Sequence, residues 1–148
     1  MKKVVLALLA LTLFAGCASK AQNAADLSAL TDRQWKLSWI KTATSATAID
    51  RAQLAKDNGA TYFTIQFGEN RISGKGAPNT YTAECKYGEN RRLFISPIAS
   101  TKMIALKEPK ELNEHEFFRY LGYASEWRVS SNTLELLTPD ASLIFTAE

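Results

Sequence analysis

Residues 31–148 predict a β-rich α+β fold: a mostly antiparallel sheet or partly open barrel with one main helix packed against it. Three observations carry this. Apolar and polar residues alternate over a series of short runs, turn-forming residues separate those runs, and the segment 111–123 pairs helical spacing with matching start and stop signals.

The runs justify the strands one by one. "QWKLSWI" (34–40) carries Trp35, Leu37 and Trp39 at period two, and "TYFTIQF" (61–67) sets Phe63, Ile65 and Phe67 against Thr64 and Gln66. Trp35, Phe63, Ile65 and Phe67 are therefore expected to point inward, each on the apolar face of its strand. In "YTAECKY" (81–87), Cys85 alternates with Tyr81, Ala83 and Tyr87, which reads as a buried structural thiol. "RLFISPI" (92–98) is apolar on both faces and predicts a central strand ended by Pro97. "EWRVS" (126–130), "TLELL" (133–137) and "SLIFT" (142–146) close the chain, with "SSN" and "TPDA" as turns between them. A short echo, Gly-Glu-Asn-Arg after an aromatic in both "FGENRIS" (67–73) and "YGENRRLFIS" (87–96), predicts two hairpin turns.

The main helix follows from its ends. In "ELNEHEFFRYLGY" (111–123), Asn113 can cap with Glu116 three residues on, and Leu112 and Phe117 stand at the hydrophobic-staple positions. Gly122 is expected to take the left-handed C′ position, and Phe117, Phe118 and Leu121 to share the buried face. "IDRAQLAKDNG" (49–59) repeats the capping logic with Asp50 and Gln53 but lacks a wide apolar face.

The N-terminus speaks to location. "MKK" is a positive n-region, and "VVLALLALTLFA" (4–15) is an apolar run interrupted only by Thr12. At ~1.5 Å per residue this run cannot cross a ~30 Å hydrocarbon core, so a secretory signal is expected rather than a membrane span. Cys17 directly after "FAG" looks like a lipobox with Phe14 at the usual leucine position; the expectation is a signal peptide over 1–16 and lipidation at Cys17. Several acyl chains on one residue give stable membrane anchoring. Residues 17–30, Ala-rich and without aromatics, are expected to form a tether, leaving 31–148 as one domain. Ala18 rather than Asp after the cysteine suggests an outer-membrane lipoprotein, its domain in the periplasm or at the surface. Cleavage removes Lys2 and Lys3 and takes the net charge from +3 to +1. No basic run survives that could serve as a nucleic-acid footprint.

Candidate chemistry is sparse. His115 is the one histidine, and a zincin helix would need a second imidazole where Arg119 stands, so no metal site is expected. Ser96, Ser100 and Thr101 lack a nucleophile elbow, and Ser100 and Thr101 read as turn residues that hydrogen-bond backbone. "GKGAPNT" (74–80) lacks the Lys-Ser/Thr ending of a phosphate loop. The carboxylates Glu84, Glu108, Glu111, Glu114 and Glu116 cannot be paired from sequence. No catalytic residues and no cofactor are expected, and the chain reads as a non-enzyme. Its aromatics admit two uses: a packed core, or the lining of an open barrel that holds a hydrophobe, with Phe117, Phe118 and Leu121 as the contacts. A protein partner or a hydrophobic ligand is the expected binding target beyond the membrane itself.

The pieces also resemble a known family. Trp35-Lys-Leu37, Phe63–Arg71, Gly76–Asn79, "PIASTKM" (97–103), Phe117–Leu121, Leu134–Leu136 and Leu143–Phe145 together are similar to the META domain of HslJ-like envelope lipoproteins. The resemblance implies a small, partly open barrel with a helix against it, akin to a type III secretion pilotin, and roles in envelope stress or tolerance of hydrophobic antibiotics. It implies no catalytic residue set. Many members carry a cysteine before the turn asparagine and another after the methionine; this chain has Pro78 and Ala105 there, so a property resting on that pair does not carry over.

Overall fold

The computed structural model describes residues 27–31 and 33–148. The expected signal segment, Cys17 and most of the tether lie outside them. Among the described residues the chain forms ten strands: β1 (Gln34–Thr42), β2 (Ala46–Ala48), β3 (Thr64–Phe67), β4 (Arg71–Lys75), β5 (Thr80–Tyr87), β6 (Leu93–Ile95), β7 (Ala99–Ser100), β8 (Glu126–Ser130), β9 (Thr133–Leu137) and β10 (Ala141–Ala147). Their order is β6-β5-β4-β3-β1-β10-β9-β8, with β2 added to β1 and β7 to β5, every pair antiparallel. The ends of that path nearly meet: Arg92 bridges Glu126, and the Leu93 N–H donates to the Ser125 carbonyl at 3.0 Å. The sheet is thus a nearly closed barrel, which shortens the free edges.

Two helices start where the caps predict. Asp50 precedes α1 (Arg51–Lys56) and accepts from the Gln53 N–H at 2.8 Å. Asn113 precedes α2 (Glu114–Tyr123) and accepts from the Glu116 N–H at 2.8 Å. Ile49 with Leu54, and Leu112 with Phe117, are buried at the staple positions of the two helices. Both Gly-Glu-Asn-Arg segments are hairpin turns, β3–β4 and β5–β6, and Asn90 in the second takes φ 54°.

Trp35, Ile65 and Phe67 point inward as expected, and so does Phe63, but by a different route. Phe63 precedes β3 in the left-handed region at φ 53°, with its carbonyl accepting from the Leu37 N–H at 2.9 Å. Its ring meets Phe117 edge to face at 5.2 Å, and Tyr81 reaches Phe117 and Phe118 in the same way. Aromatic pairs of this geometry add ~0.5–1.5 kcal/mol beyond the area they bury.

Elsewhere the alternation breaks. Leu37 pairs with Phe145 but Trp39 with Ile144, so Ser38 is an extra residue in β1. This bulge reverses the faces beyond it: Trp39 is 42% exposed, whereas Ile40 is buried. The run expected to be a central strand, β6, instead lies at one end of the path, and Phe94 is 62% exposed. An end strand needs apolar residues on one face, which Leu93 and Ile95 supply. Gly122 is not a left-handed cap either. Helix α2 runs through Tyr123, and Ala124 leaves it extended at φ −63°, ψ 127°. The cause lies one residue on: the Ser125 N–H bonds the Leu137 carbonyl, so the chain must enter the sheet at once. The packed chain also starts ahead of residue 31. Leu30 is fully buried, and the Trp35 indole N–H donates to its carbonyl at 2.9 Å.

Three weak acids, Cys85 and Tyr81 in the core and Tyr87 packed against it, make the barrel's stability sensitive to alkali. Burial pushes the Cys85 thiol up to about 11, the hydrogen bond to Tyr87 offsetting part of that rise. Burial, then the neighbouring Cys85, raises the Tyr87 phenol, and burial alone raises Tyr81 well above its usual value. Each group favours its neutral form in the fold more than in the unfolded chain. The stability this contributes is complete below the unfolded values, ~8.5 for Cys and ~10 for Tyr, and is lost as pH rises through the folded ones. The expected result in urea titrations is a stability flat from pH 7 to 8 and falling from about pH 9, by about 3 kcal/mol through Cys85. Cys85→Ala should flatten the first part of that decline. An aromatic disulfide reagent should label Cys85 only after unfolding.

Candidate functional site

The N-terminus of α2 sits on a polar node built from three distant segments. The Glu114 carboxylate accepts the Ala77 N–H at 2.7 Å, the Asn79 N–H at 2.7 Å and the Asn79 side-chain amide at 2.6 Å. Gly76 makes this approach possible, since a Cβ there would stand 2.5 Å from Glu114 Oε1 and 2.9 Å from the Phe118 ring. Asn79 is buried and fully used. Its Nδ2 donates to Glu114 and to the Met103 carbonyl (3.2 Å), and its Oδ1 accepts the Thr101 hydroxyl (2.8 Å) and the Met103 N–H (2.6 Å). Thr101 Oγ1 in turn accepts the Thr80 N–H at 3.2 Å. Charge-assisted bonds to a carboxylate are about twice as strong as neutral ones, so Glu114 is the firmest member of the set.

The node determines what "PIASTKM" does. Ala99 and Ser100 form β7 against β5, Thr101 and Met103 dock on Asn79, and the chain then runs out as a strap, 102–111, before Leu112 returns to the core. Lys107 pins the strap to α1 through both oxygens of Asp57, at 2.9 and 2.8 Å. Hydrogen bonds from Gln53 and then Lys107 hold the Asp57 carboxyl below its usual value. Between the two attachments the apolar side chains face water: Met103 is 62% exposed, Ile104 90% and Leu106 104%. Scattered surface leucines are ordinary, but three apolar residues within four positions, held out by a strap fixed at both ends, are not.

The expected ligand contacts divide. Phe117 and Leu121 are fully buried in the barrel, while Phe118 is half-buried and reaches a shallow groove of about 400 Å³. Pro97, Ile98, His115, Arg119, Gly122 and Tyr123 complete that groove, and Tyr123 is 60% exposed. His115 lies exposed on the first turn of α2, between Glu114 at the node and Glu116 on Asn113. Ser96 accepts the Glu84 N–H at 2.9 Å, a strand-closing contact. Among the described residues no group of three His, Cys, Asp or Glu side chains could hold a metal ion. Glu114 and Asn79 were not predicted as partners. They are 35 positions apart, and only the chance that a helix N1 carboxylate faces a Gly-Ala-Pro-Asn turn could have joined them.

Among solved structures the chain is similar to a DUF4847 family protein from Bacteroides vulgatus. The match has a TM-score of 0.56 at 15% identity and covers 81% of this chain and 96% of that one. A second protein, solved by NMR, matches with a TM-score of 0.55 at 22% identity, covering 80% of this chain and 92% of that one. Both likenesses are of fold. No curated protein sequence matches the chain. The META domain family model matches residues 28–148, the span that holds the barrel, the Asn79–Glu114 node and the strap, and the chain belongs to the META domain family.

Proposed function

We propose that this protein is a non-enzymatic lipoprotein of the cell envelope, anchored through Cys17 in the outer membrane, whose META domain binds a hydrophobic or protein partner. A role in envelope stress or drug tolerance fits that reading. The observation that carries the binding half is the strap: Ile104 and Leu106 stand in water on a segment held by dedicated hydrogen bonds. The anchoring half rests on the apolar run 4–15 followed by Gly16 and Cys17. The geometry supports surface binding over an acyl chain carried between helix and sheet. In that space Phe117 and Leu121 are already enclosed, with Phe117 packed against Phe63 and Tyr81.

Two experiments test the halves. Radiolabelled palmitate is expected to enter the wild-type protein in its host and not the Cys17→Ala variant; label in both, or in neither, ends the anchoring half. A photo-crosslinking residue at position 106 is expected to capture a lipid or protein that the same residue at Glu69, in the β3–β4 turn, does not. Equal capture at both positions would remove the strap as the binding element.

A further inference from the structure

We infer that the strap is a second membrane contact, which dips Met103, Ile104 and Leu106 into the headgroup–acyl boundary of a bilayer while Lys102 meets its phosphates. The inference deepens the surface-binding reading above and rests on it. The order Lys102-Met103-Ile104-Ala105-Leu106-Lys107 places a cation immediately on each side of the apolar run. Lys102, exposed at the root of the run, is the cation an anionic lipid surface complements: apolar side chains enter the acyl edge, and the lysine stem lies along it with its ammonium group in the headgroup layer. Asn79 supplies the preorganisation. Its bonds to Met103 N–H and C=O satisfy the backbone at the root of the strap, so less ordering is left to the binding step. Lys107, committed to both oxygens of Asp57, fixes the other root of the strap. Glu108 and Glu111 lie beyond Lys107 in sequence, outside the bracketed run.

The test uses the full mature chain, isolated from host membranes and reconstituted in vesicles of phosphatidylethanolamine with phosphatidylglycerol. Ile104→Cys carries an environment-sensitive dye, and Glu69→Cys serves as the control on the β3–β4 turn. Cys85 is buried and its thiol raised, so it stays unlabelled. The expected result is a blue-shifted emission at position 104, quenched by lipids brominated on the acyl chain, with position 69 remaining aqueous. Lys102→Glu should reduce the inserted fraction about fivefold or more, on the scale of ~1 kcal/mol per lysine at an anionic surface. Aqueous emission at position 104 overturns the inference. So does a shift that grows with protein density on the vesicle and ignores brominated lipid, which would mark a contact with a second copy. The anchoring reading fails separately: intact mass would then show no acyl chains, whatever the dye at position 104 reports.

Discussion

Replacing Phe63 by alanine is expected to remove about 3–5 kcal/mol of stability, the range for truncating a buried phenylalanine. The ring is fully buried and closes on Phe117 at 5.2 Å and on Tyr62 at 6.4 Å, so its removal opens a hole at the junction of barrel and helix. Backbone geometry adds a second expectation. Phe63 holds φ at 53°, with the Leu37 N–H on its carbonyl and its own N–H toward the Gly76 carbonyl at 3.4 Å. A left-handed conformation costs a residue with a Cβ ~1–2 kcal/mol, which glycine does not bear. Glycine loses ~0.5–1 kcal/mol more entropy on folding than alanine. The two effects leave Phe63→Gly at least as stable as Phe63→Ala, and above it by up to about 1.5 kcal/mol, the reverse of the ordinary order inside a strand. Guanidinium titrations of the three proteins at pH 7 decide both points. A loss under about 1 kcal/mol for Phe63→Ala, well below the core range, would mean that the ring does not fill this junction. A Phe63→Gly variant clearly weaker than Phe63→Ala would mean that the local strain has another source.

Phe63 also shows how the fold could and could not be read from the chain. Its burial was legible, because "TYFTIQF" puts an aromatic on the apolar side of an alternating run. Its conformation was not, because the left-handed turn follows from contacts with Leu37 and Gly76, neither of which is local. The same division holds along the molecule. Asn113 and Asp50 announced their helices because a cap acts over three residues. The exit of α2 escaped prediction because Ser125 is recruited by Leu137, a strand partner twelve positions away. The bulge in β1 leaves no mark in a period-two pattern, so Trp39 shares one alternating run with Trp35 and Leu37; Ser38 looks like any outward residue until β10 is laid beside it. For the candidate site, "PIASTKM" stood out as a segment, and Thr101 was read correctly as a backbone-bonding hydroxyl. Its anchor was hidden. Glu114 was one of five glutamates that nothing local distinguishes, and it acquires a role only through Asn79 on another hairpin.

That anchor gives the second large effect. Asn79→Ala is expected to cost about 3 kcal/mol, since it strips the Met103 N–H and carbonyl, the Thr101 hydroxyl and Glu114 of a shared partner, at roughly 1–3 kcal/mol per stranded group less what water recovers. Asn79→Asp should be worse than alanine although it is nearly isosteric. It places a carboxylate oxygen where Nδ2 stood, 2.6 Å from Glu114 Oε2, and two anions at that separation repel. Adding Glu114→Gln reverses the polarity of the contact. The new amide can donate to the carboxylate introduced at position 79, while its carbonyl still accepts the two N–H groups of residues 77 and 79. The double variant should therefore be more stable than Asn79→Asp alone, with a coupling of about 1–3 kcal/mol across the cycle. Denaturant midpoints of the four proteins measure it, and a double variant no better than Asn79→Asp would show that the Asn79–Glu114 contact does not hold the node together. Hydrogen exchange at the Met103 amide links the node to the strap. Protected in the wild type by Asn79 Oδ1, that amide should exchange freely in Asn79→Ala even without denaturant, because the strap then has one fixed root instead of two. An apolar segment freed in this way would lose its defined presentation while keeping every apolar side chain, and the dye at position 104 would report weaker insertion from an unchanged surface composition.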